Sequence, residues 1–345
     1  MFNRLANDMR KEIGSEFWNV PVNLKANTLL PEYARLFISG RAALRYIIKD
    51  IMLKKKVQTI GLPSWCCDSI ITPFIDEGLE VQFYPVVLEN GVLKQRPNDI
   101  TVDVLLVMDY FGTISHDRYD SYPCIIIRDL THSIFSKYAD DADYYFGSVR
   151  KWCGIVTGGF AWSKKGFSDR IAVHNADLQY INNRQRAMEQ KANYINGIID
   201  QKDYLQLFSS SEQFLDDLKE IQCGKQEDAD VIKHIDIDTV TKKRHQNAKI
   251  LKDKLSQYLF IPDFDDGGCP LFVPILLNNR DAIRNFLIER EVYCPVHWPV
   301  SKYHVLTEQM LYIYNHELSI VCDQRYNASD IERMADLILK GIIEC

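Results

Sequence analysis

The sequence predicts an α/β protein with a mostly parallel central sheet covered by helices, followed by a small C-terminal α+β domain. Three observations support this class. Short apolar runs alternate with helical patterns in the first half of the chain, two of those runs are continuous enough to be buried on both faces, and a second strand–helix alternation begins near residue 270. Continuous apolar strands with helices between them are typical of a doubly wound parallel sheet.

Hydrophobic periodicity and turn residues locate the elements of the large domain. A helix is expected from Arg41, because apolar residues recur after it at positions i, i+3, i+4, i+7 and i+8. A second helix is expected over 69–77, with Gly78 as its C-cap. The polar stretch 164–224 is expected to be mainly helical. Strands are expected at the apolar runs 59–62, 81–86, 104–108 and 125–127.

The last third of the chain predicts a second, smaller unit. A strand is expected over 270–277, an amphipathic helix over 281–291 and a terminal helix over about 328–343. The boundary is expected near residue 235. Residues 1–234 would then form an N-terminal segment and the large domain, and residues 235–345 the small domain.

The composition of the 345-residue chain excludes several classes of protein. A net charge of -6 argues against a nucleic-acid binder that works through a broad basic face. Nine cysteines without C-x-x-C spacing indicate neither a zinc site nor a disulfide framework. No stretch approaches the roughly 20 apolar residues that span a bilayer, and the N-terminal residues lack the apolar core of a signal peptide. A cytoplasmic protein without membrane or metal partners is therefore expected.

The start of the first helix is a candidate phosphate-binding site. Ser39 and Gly40 come directly before the helical pattern, and the free N–H groups of a helix N-terminus favour an anion. The alternative is an ordinary N-cap, since serine and glycine are common at that position. This motif alone does not decide between the two.

A strand expected over 125–127 is followed by Asp129 and, three residues further on, by His132. Residues that follow the strands of an open α/β sheet face the ligand crevice. Asp129 could pair there with a protonated pyridine nitrogen, as in a pyridoxal phosphate (PLP) site, and His132 could contact the phenolate oxygen of the same cofactor. The alternatives are a helix N-cap for Asp129 and a structural role for His132.

Lys151 is the candidate for the covalent link to that cofactor. It stands between Arg150 and Trp152, three residues after Ser148, and a glycine pair follows at 158–159. A lysine amine can bind the PLP aldehyde covalently, and the serine could reach its phosphate. The alternative is a basic turn whose lysine points into water. An acid after a buried strand, combined with such a lysine, favours the PLP site.

Taken in order, these segments resemble the sugar aminotransferases of PLP fold type I, the DegT/StrS group, from about residue 37 to the C-terminus. Residues 39–44 look like that group's phosphate-binding S-G-x-A-A-L. Residues 62–67 resemble the loop that lies over the cofactor ring, with Trp65 or Cys67 as the stacking residue. Residues 129–132 are similar to D-x-A-[QH], which implies that the aspartate lies at the pyridine nitrogen and the histidine near the phenolate oxygen.

The resemblance continues beyond these motifs. Residues 148–152, with the later glycine pair, look like the segment that carries the catalytic lysine, and 242–248 resemble a structural helix of the small domain. Residues 296–299 and 323–326 resemble segments on the substrate side. The residues that the resemblance places at the cofactor are Gly40, Arg41, Ala42, Trp65, Cys67, Asp129, His132, Ser148 and Lys151.

The activity that this resemblance implies is transfer of an amino group from an amino acid, typically glutamate, to a nucleotide-linked keto-sugar. Such a reaction belongs to amino-sugar or surface-glycan biosynthesis. Lys151 and Asp129 would be the catalytic residues: the lysine would hold the cofactor and move the proton, and the aspartate would keep the ring nitrogen charged. The resemblance also implies a homodimer with its sites at the interface.

Three positions depart from the group's pattern. Phe146 replaces the usual serine five residues before the lysine, Thr131 replaces an alanine, and Arg41 replaces a small hydroxyl residue. The Arg41 guanidinium is expected to bind a carboxylate of the incoming substrate, since helix amides and a serine already supply the phosphate with donors.

Two alternative functions stay open. One is a PLP enzyme of another reaction type, such as a sugar dehydratase, in which histidine usually replaces the lysine. The other is a catalytically silent regulatory or scaffold protein on the same fold. Lys151 argues against the first, and the presence of both Lys151 and Asp129 disfavours the second.

Overall fold

A computed structural model describes residues 12–345, except 90–91, 115–116, 262–263 and 265–266. Residues 1–11, where no signal peptide is expected, lie outside the described residues. The strands are β1 Ile13–Gly14, β2 Arg35–Phe37, β3 Thr59–Pro63, β4 Glu80–Tyr84, β5 Val86–Glu89, β6 Val92–Gln95, β7 Val104–Met108, β8 Ile125–Asp129, β9 Tyr144–Ser148, β10 Gly159–Trp162, β11 Phe272–Leu276, β12 Val292–Tyr293 and β13 Glu317–Val321. The helices are α1 Gly40–Lys54, α2 Asp68–Asp76, α3 Leu178–Ile195, α4 Tyr204–Asp217, α5 Gln226–Lys233, α6 Ile237–Lys254, α7 Arg280–Ile288, α8 Glu308–His316 and α9 Ala328–Glu344.

The central sheet has seven strands in the order β2-β10-β9-β8-β7-β3-β4. Its pairings from β9 to β4 are parallel, and β10 runs antiparallel to both of its neighbours. In β7, Val104, Leu106 and Met108 pack into one hydrophobic core, whereas Leu105 and Val107 pack into another. Both faces of the sheet are therefore covered, as expected for continuous apolar strands. The predicted fold class is confirmed.

Most predicted elements occur with boundaries shifted by a few residues. The run 81–86 is an exception, because the chain leaves the sheet at Pro85 and continues as β5 in a separate hairpin with β6. Proline has no N–H group to donate to a strand ladder. The stretch 164–224 is only partly helical: α3 and α4 lie within it, but a turn at Gly166, with φ of 69°, precedes an irregular segment that lasts until Asp177 caps α3.

A second hydrophobic core is formed mainly by the C-terminal part of the chain. The β11–β13 pair packs against α6, α7 and α9. Ile13, near the start of the described residues, belongs to this core because β1 pairs with β12. Gly14 makes the approach possible, since a Cβ at this position would lie 2.1 Å from the Tyr293 carbonyl oxygen. The boundary near residue 235 stays a prediction. Among the described residues no helix has the length and apolarity needed to cross a membrane.

Candidate active site

A cavity of about 550 Å³ opens at the carboxyl edge of the central sheet. The neighbouring parallel strands β7, β8 and β9 end there in Met108, Asp129 and Ser148, all of which line the cavity. The N-terminus of α1 reaches the same edge, because β10 runs antiparallel to both β9 and the strand β2 that precedes the helix. Residues far apart in sequence thus share one crevice, as expected where parallel strands end.

Close backbone contacts shape the start of α1. The Ser39 Oγ caps the helix by accepting a hydrogen bond from the Ala42 N–H at 3.2 Å. A Cβ on Gly159 would lie 2.0 Å from the Ser39 carbonyl oxygen, so glycine is required there. The N–H groups of Gly40 and Arg41 have no hydrogen-bond partner among the described residues, and both residues line the cavity. These groups can therefore bind an anion.

Two residues expected at the cofactor do not line the cavity. Ala42 is buried in the hydrophobic core, and its N–H is used by the helix cap. Trp65 is also fully buried: its indole N–H donates to the His297 carbonyl oxygen at 2.7 Å, and its ring stacks on Tyr110 with centroids 5.1 Å apart. Cys67, at the N-cap of α2, does line the cavity. The large indole fills the core beneath the site, so Cys67 is the residue of this pair that can contact a bound ring.

Asp129 forms part of the cavity wall and is only 3 % exposed. Its Oδ1 accepts a hydrogen bond from the Thr131 N–H at 2.7 Å. Burial raises the pKa of Asp129 to about 6, and the hydrogen bonds from Thr131 offset only part of that effect. No helix begins here and no cation pairs with this carboxylate within the described part of the chain. Because an unpaired buried carboxylate is costly, the site is complementary to a positively charged group.

His132 also faces the cavity, and its tautomer follows from its contacts. Its Nδ1 accepts a hydrogen bond from the Phe111 N–H at 3.4 Å, so the proton of a neutral ring lies on Nε2. Burial, together with the charge of Lys151, lowers the pKa of His132 to about 3. The ring stacks on Trp298 with centroids 5.5 Å apart. A neutral His132 can therefore donate a hydrogen bond from Nε2 into the cavity at pH 7.

Lys151 ends the short 3-10 turn that follows β9. Its side chain is exposed to the cavity and forms no hydrogen bond or ion pair with the residues that the structure describes. The neighbouring Arg150 is bound by Glu212 instead. On the other side, the buried Trp152 donates its indole N–H to a main-chain carbonyl oxygen at 2.8 Å. Both neighbours are held in place, and the amine of Lys151 remains available to a ligand.

Helix α6 supports this turn. The fully buried Arg244 donates hydrogen bonds to the main-chain carbonyl oxygens of Pro270 and Leu271 at 3.1 and 3.0 Å, and its guanidinium lies 4.6 Å from the centre of the Trp152 ring. Gln324 donates to the Trp152 carbonyl oxygen at 2.7 Å. The residue next to Lys151 is therefore held from the C-terminal part of the chain, consistent with the structural role expected for 242–248.

The expected role of Arg41 is not supported by its contacts. Its guanidinium donates to the Leu215 carbonyl oxygen at 2.6 Å and pairs with Asp216 at 2.7 Å. These partners lie in the last turn of α4, where carbonyl groups without helical partners attract a cation. The side chain thus joins α1 to α4 at the rim of the cavity and is not free for a substrate carboxylate.

Replacing Arg41 with alanine is therefore expected to lower stability more than substrate affinity. Loss of a charge-assisted hydrogen bond and a partly exposed ion pair should reduce the free energy of unfolding by about 1–2 kcal/mol. Calorimetry should show a lower Tm, while the constant for the amino donor changes little. Arg118→Ala is a matched control, since its pair with Asp120 is exposed. An unchanged Tm with a weakened donor constant would restore the original expectation.

Part of the cavity carries no local signal in the sequence. Arg184, which is almost fully buried, bridges Glu212 at 2.7 Å and Glu16 at 2.6 Å. Burial would raise the pKa of Glu16, but Arg184, Arg150 and Lys151 outweigh it and hold that pKa at about 2. Each of these residues looks like an ordinary surface charge in sequence. The β1–β12 pairing holds the segment that brings Glu16 to the cavity.

The two late segments with an expected role on the substrate side do reach the cavity. The residues of 296–299 and 323–326 that line it are His297, Trp298, Asp323 and Arg325. Arg325 and Asp323 form a buried ion pair at 2.8 Å. Of the cofactor residues expected from the sequence, those that line the same cavity are Gly40, Arg41, Cys67, Asp129, His132, Ser148 and Lys151.

Comparison with known proteins relies on structure, because no protein-family model and no curated protein matches this sequence. The structure is similar to PseC of Helicobacter pylori, an aminotransferase of pseudoaminic acid biosynthesis, with a TM-score of 0.61 at 13 % identity over 96 % of this chain and 100 % of PseC. The sugar aminotransferase CalS13 of Micromonospora echinospora gives 0.58 at 10 % identity over 97 % and 100 %. NtdA of Bacillus subtilis, solved with bound cofactor PMP, gives 0.61 at 12 % identity over 92 % and 74 %. Likeness at these identities establishes the architecture, and this chain therefore has the PLP fold type I that such aminotransferases form.

Proposed function

We propose that this protein is a PLP-dependent aminotransferase that moves an amino group from an amino acid, glutamate, to a nucleotide-linked keto-sugar. One observation carries the proposal. A buried acid, Asp129, and an amine, Lys151, neither of which has an ion-pair partner among the described residues, line the same cavity as the N-terminus of α1. A pyridine nitrogen, an aldehyde and a phosphate are the three groups that these features would bind, and PLP carries all three.

The residues present fit this cofactor. Gly40 and Arg41 offer main-chain N–H groups without partners within the described residues, and Ser148 adds a hydroxyl at the end of β9. Asp129 would hold the ring nitrogen, where a cation would relieve the cost of the buried carboxylate. His132 would donate from Nε2 to the phenolate oxygen. These features supply donors, an acid and a nucleophile where the cofactor needs each.

When bound, PLP withdraws electrons from the substrate carbon next to the transferred nitrogen. Lys151 would hold the cofactor covalently through its Nζ, and the amine, once free, would act as the acid–base group that carries the proton. Asp129 would keep a proton on the ring nitrogen of the cofactor, because a carboxylate stabilises the charged form of its partner. Trp152, held by α6, limits the movement of the turn that presents the amine.

The sugar acceptor is proposed from the solved structures whose names describe sugar aminotransferases. The cavity volume of about 550 Å³ lies within the range of roughly 300–1,000 Å³ that ligand pockets occupy. The active form is proposed to be a cytoplasmic homodimer, as the sequence resemblance implies. Sedimentation of the active enzyme tests this state.

A screen of nucleotide-linked keto-sugars with glutamate tests the proposed reaction. Formation of 2-oxoglutarate should depend on both the acceptor and added PLP, and the purified protein should be yellow. Loss of water from the sugar without consumption of glutamate would indicate a different PLP reaction. A colourless protein that binds no PLP would instead indicate a silent protein on this fold.

A further inference from the structure

A buried carboxyl group without a described cation partner lies next to the cavity. Glu317, the first residue of β13, is fully buried. The nearest guanidinium, that of Arg280, donates to the Glu317 carbonyl oxygen at 2.9 Å and forms its ion pair with Asp281. The carboxylate is bound instead by two hydrogen bonds from neutral groups. It is thus a titratable group that the proposed reaction does not use.

Those hydrogen bonds lead to the cavity through His297. The Ser319 hydroxyl donates to Glu317 Oε1 at 2.5 Å, and the His297 N–H donates to Glu317 Oε2 at 2.7 Å. The Ser319 Oγ also lies 2.7 Å from His297 Nδ1. Glu317 and Ser319 are fully buried, whereas the His297 ring reaches the cavity wall. A continuous chain of three groups therefore runs from the interior to the site.

The direction of these bonds determines the tautomer of His297. When Glu317 is ionised, Ser319 gives the single proton of its hydroxyl to the carboxylate, so the hydroxyl oxygen must accept the proton of His297 Nδ1. The Nε2 of a neutral His297 then carries a lone pair, and this atom has no hydrogen-bond partner among the described residues. His132, whose ring centroid is 5.1 Å away, has the opposite tautomer. With Glu317 ionised, the cavity wall thus presents one imidazole donor beside one imidazole acceptor.

We propose that His297 is a substrate-binding residue that accepts a hydrogen bond from a hydroxyl of the acceptor, and that Ser319 and Glu317 position it by setting its tautomer. The inference rests on the proposed function for the identity of the acceptor. The sugar hydroxyl must donate its hydrogen bond to His297 Nε2. A sugar acceptor that lacks a hydroxyl opposite this atom therefore loses the contact. Buried polar groups left unpaired in this way discriminate strongly against such analogues.

The ionisation state of Glu317 determines whether His297 Nε2 can accept a hydrogen bond. Burial raises the pKa of Glu317 to about 8, with hydrogen bonds from Ser319 and the His297 N–H, and the charge of Arg280, opposing the shift. The thiol of Cys294 is the other titratable group that senses Glu317, and burial raises its pKa as well. A protonated Glu317 can donate to Ser319, whose hydroxyl then donates to His297 Nδ1. The imidazole proton then lies on Nε2, so His297 no longer accepts a hydrogen bond at this atom once the pH has fallen below about 8.

Glu317→Gln imitates the protonated form of Glu317 at every pH without changing the shape of the side chain. The amide oxygen must face the His297 N–H, so the amide NH₂ faces Ser319 and donates to it. Ser319 then donates to His297 Nδ1 at every pH, and Nε2 carries the proton permanently. ¹⁵N NMR of the protein as purified should show Nδ1–H for His297 above pH 8 in the wild type and Nε2–H in the variant. The signal is assigned by its loss in His297→Asn.

Kinetics provide the second readout. Above pH 8, where Glu317 of the wild type is ionised, the KM of Glu317→Gln for the sugar acceptor should be about 10- to 100-fold higher than that of the wild type, as expected for loss of one buried hydrogen bond. The rate of the half-reaction with glutamate should stay within about two-fold of the wild type. In the wild type, kcat/KM for the sugar acceptor should rise as the pH increases through about 8, and this rise should be absent from the variant. Glu332→Gln, on the exposed face of α9, is the matched control.

The possible failures are distinguishable. The same His297 tautomer in both proteins above pH 8 overturns the inference, even if no acceptor is ever turned over. An equal loss in the donor half-reaction also overturns it, because Glu317 would then act only on the stability of the site. Absence of any half-reaction in the wild type contradicts the proposed aminotransferase, while the NMR measurement still decides the tautomer.

Discussion

Replacing Lys151 with alanine is expected to abolish both transamination and covalent attachment of the cofactor. The amine supplies the nucleophile and the proton carrier, and no other lysine lines the cavity among the described residues. Loss of a positioned acid–base group and of covalent catalysis should lower turnover by at least about 10⁴-fold, or about 5 kcal/mol of transition-state stabilisation. Borohydride treatment followed by peptide mapping should label the Lys151 peptide in the wild type and no peptide in the variant.

Lys165→Ala is a suitable control for this experiment. Its side chain is 80 % exposed and pairs with Asp143 at 2.8 Å, remote from the cavity lining. The control should keep wild-type turnover and the same labelled peptide. A label on any other lysine, or a reducible cofactor link that persists in Lys151→Ala, would show that the covalent site has been assigned to the wrong residue.

Asp129→Asn is expected to keep the fold while losing most of the activity. An amide cannot hold a proton on the ring nitrogen of the cofactor, so the ring withdraws electrons less strongly. The loss should reach several orders of magnitude, roughly 4 kcal/mol or more of transition-state stabilisation. Single-turnover kinetics with glutamate measure the effect. PLP should still bind, because the phosphate site at α1 is unchanged.

The same substitution should stabilise the protein without cofactor. Burial raises the pKa of Asp129 from 3.8 to about 6, so the folded state binds more protons than the unfolded state between those values. Stability therefore falls as pH rises through this window, by up to about 3 kcal/mol in total. Asparagine removes that cost. Urea unfolding of the cofactor-free proteins should show the variant more stable at pH 7.5 and the difference much smaller near pH 4.5.

Opposite changes in activity and stability distinguish the two interpretations of Asp129. Asparagine can also accept the hydrogen bond from the Thr131 N–H, so a purely local capping role would survive the change. Normal turnover in Asp129→Asn would therefore leave the acid with a structural role only. Asp129→Glu, which keeps the charge but moves it by one methylene, should retain more activity than the amide variant.

Much of the architecture could be predicted because its signals are local. The apolar run of β7 is continuous over five residues, that of β8 covers its first three residues, and the helical repeat of α1 spans one segment. The place of Asp129 follows from this, since a strand is expected just before it and parallel strands end at the ligand edge of a sheet. No strand is expected over β9, so the position of Ser148 at the end of that strand is seen only in the structure. Lys151 lies one short turn beyond. These residues share a cavity because β7, β8 and β9 are neighbours in the sheet, an order that only the structure shows.

The side-chain contacts across the site could not be predicted in this way, because they join segments far apart in the chain. Trp65 is held in the core by a main-chain oxygen 232 positions away, and Arg41 by one 174 positions away. The hydrogen-bonded chain from Glu317 to His297 depends on the same kind of packing. Periodicity and spacing describe which face of an element is buried. They contain no information on which polar partner meets a given side chain, and close packing of distant elements sets that choice.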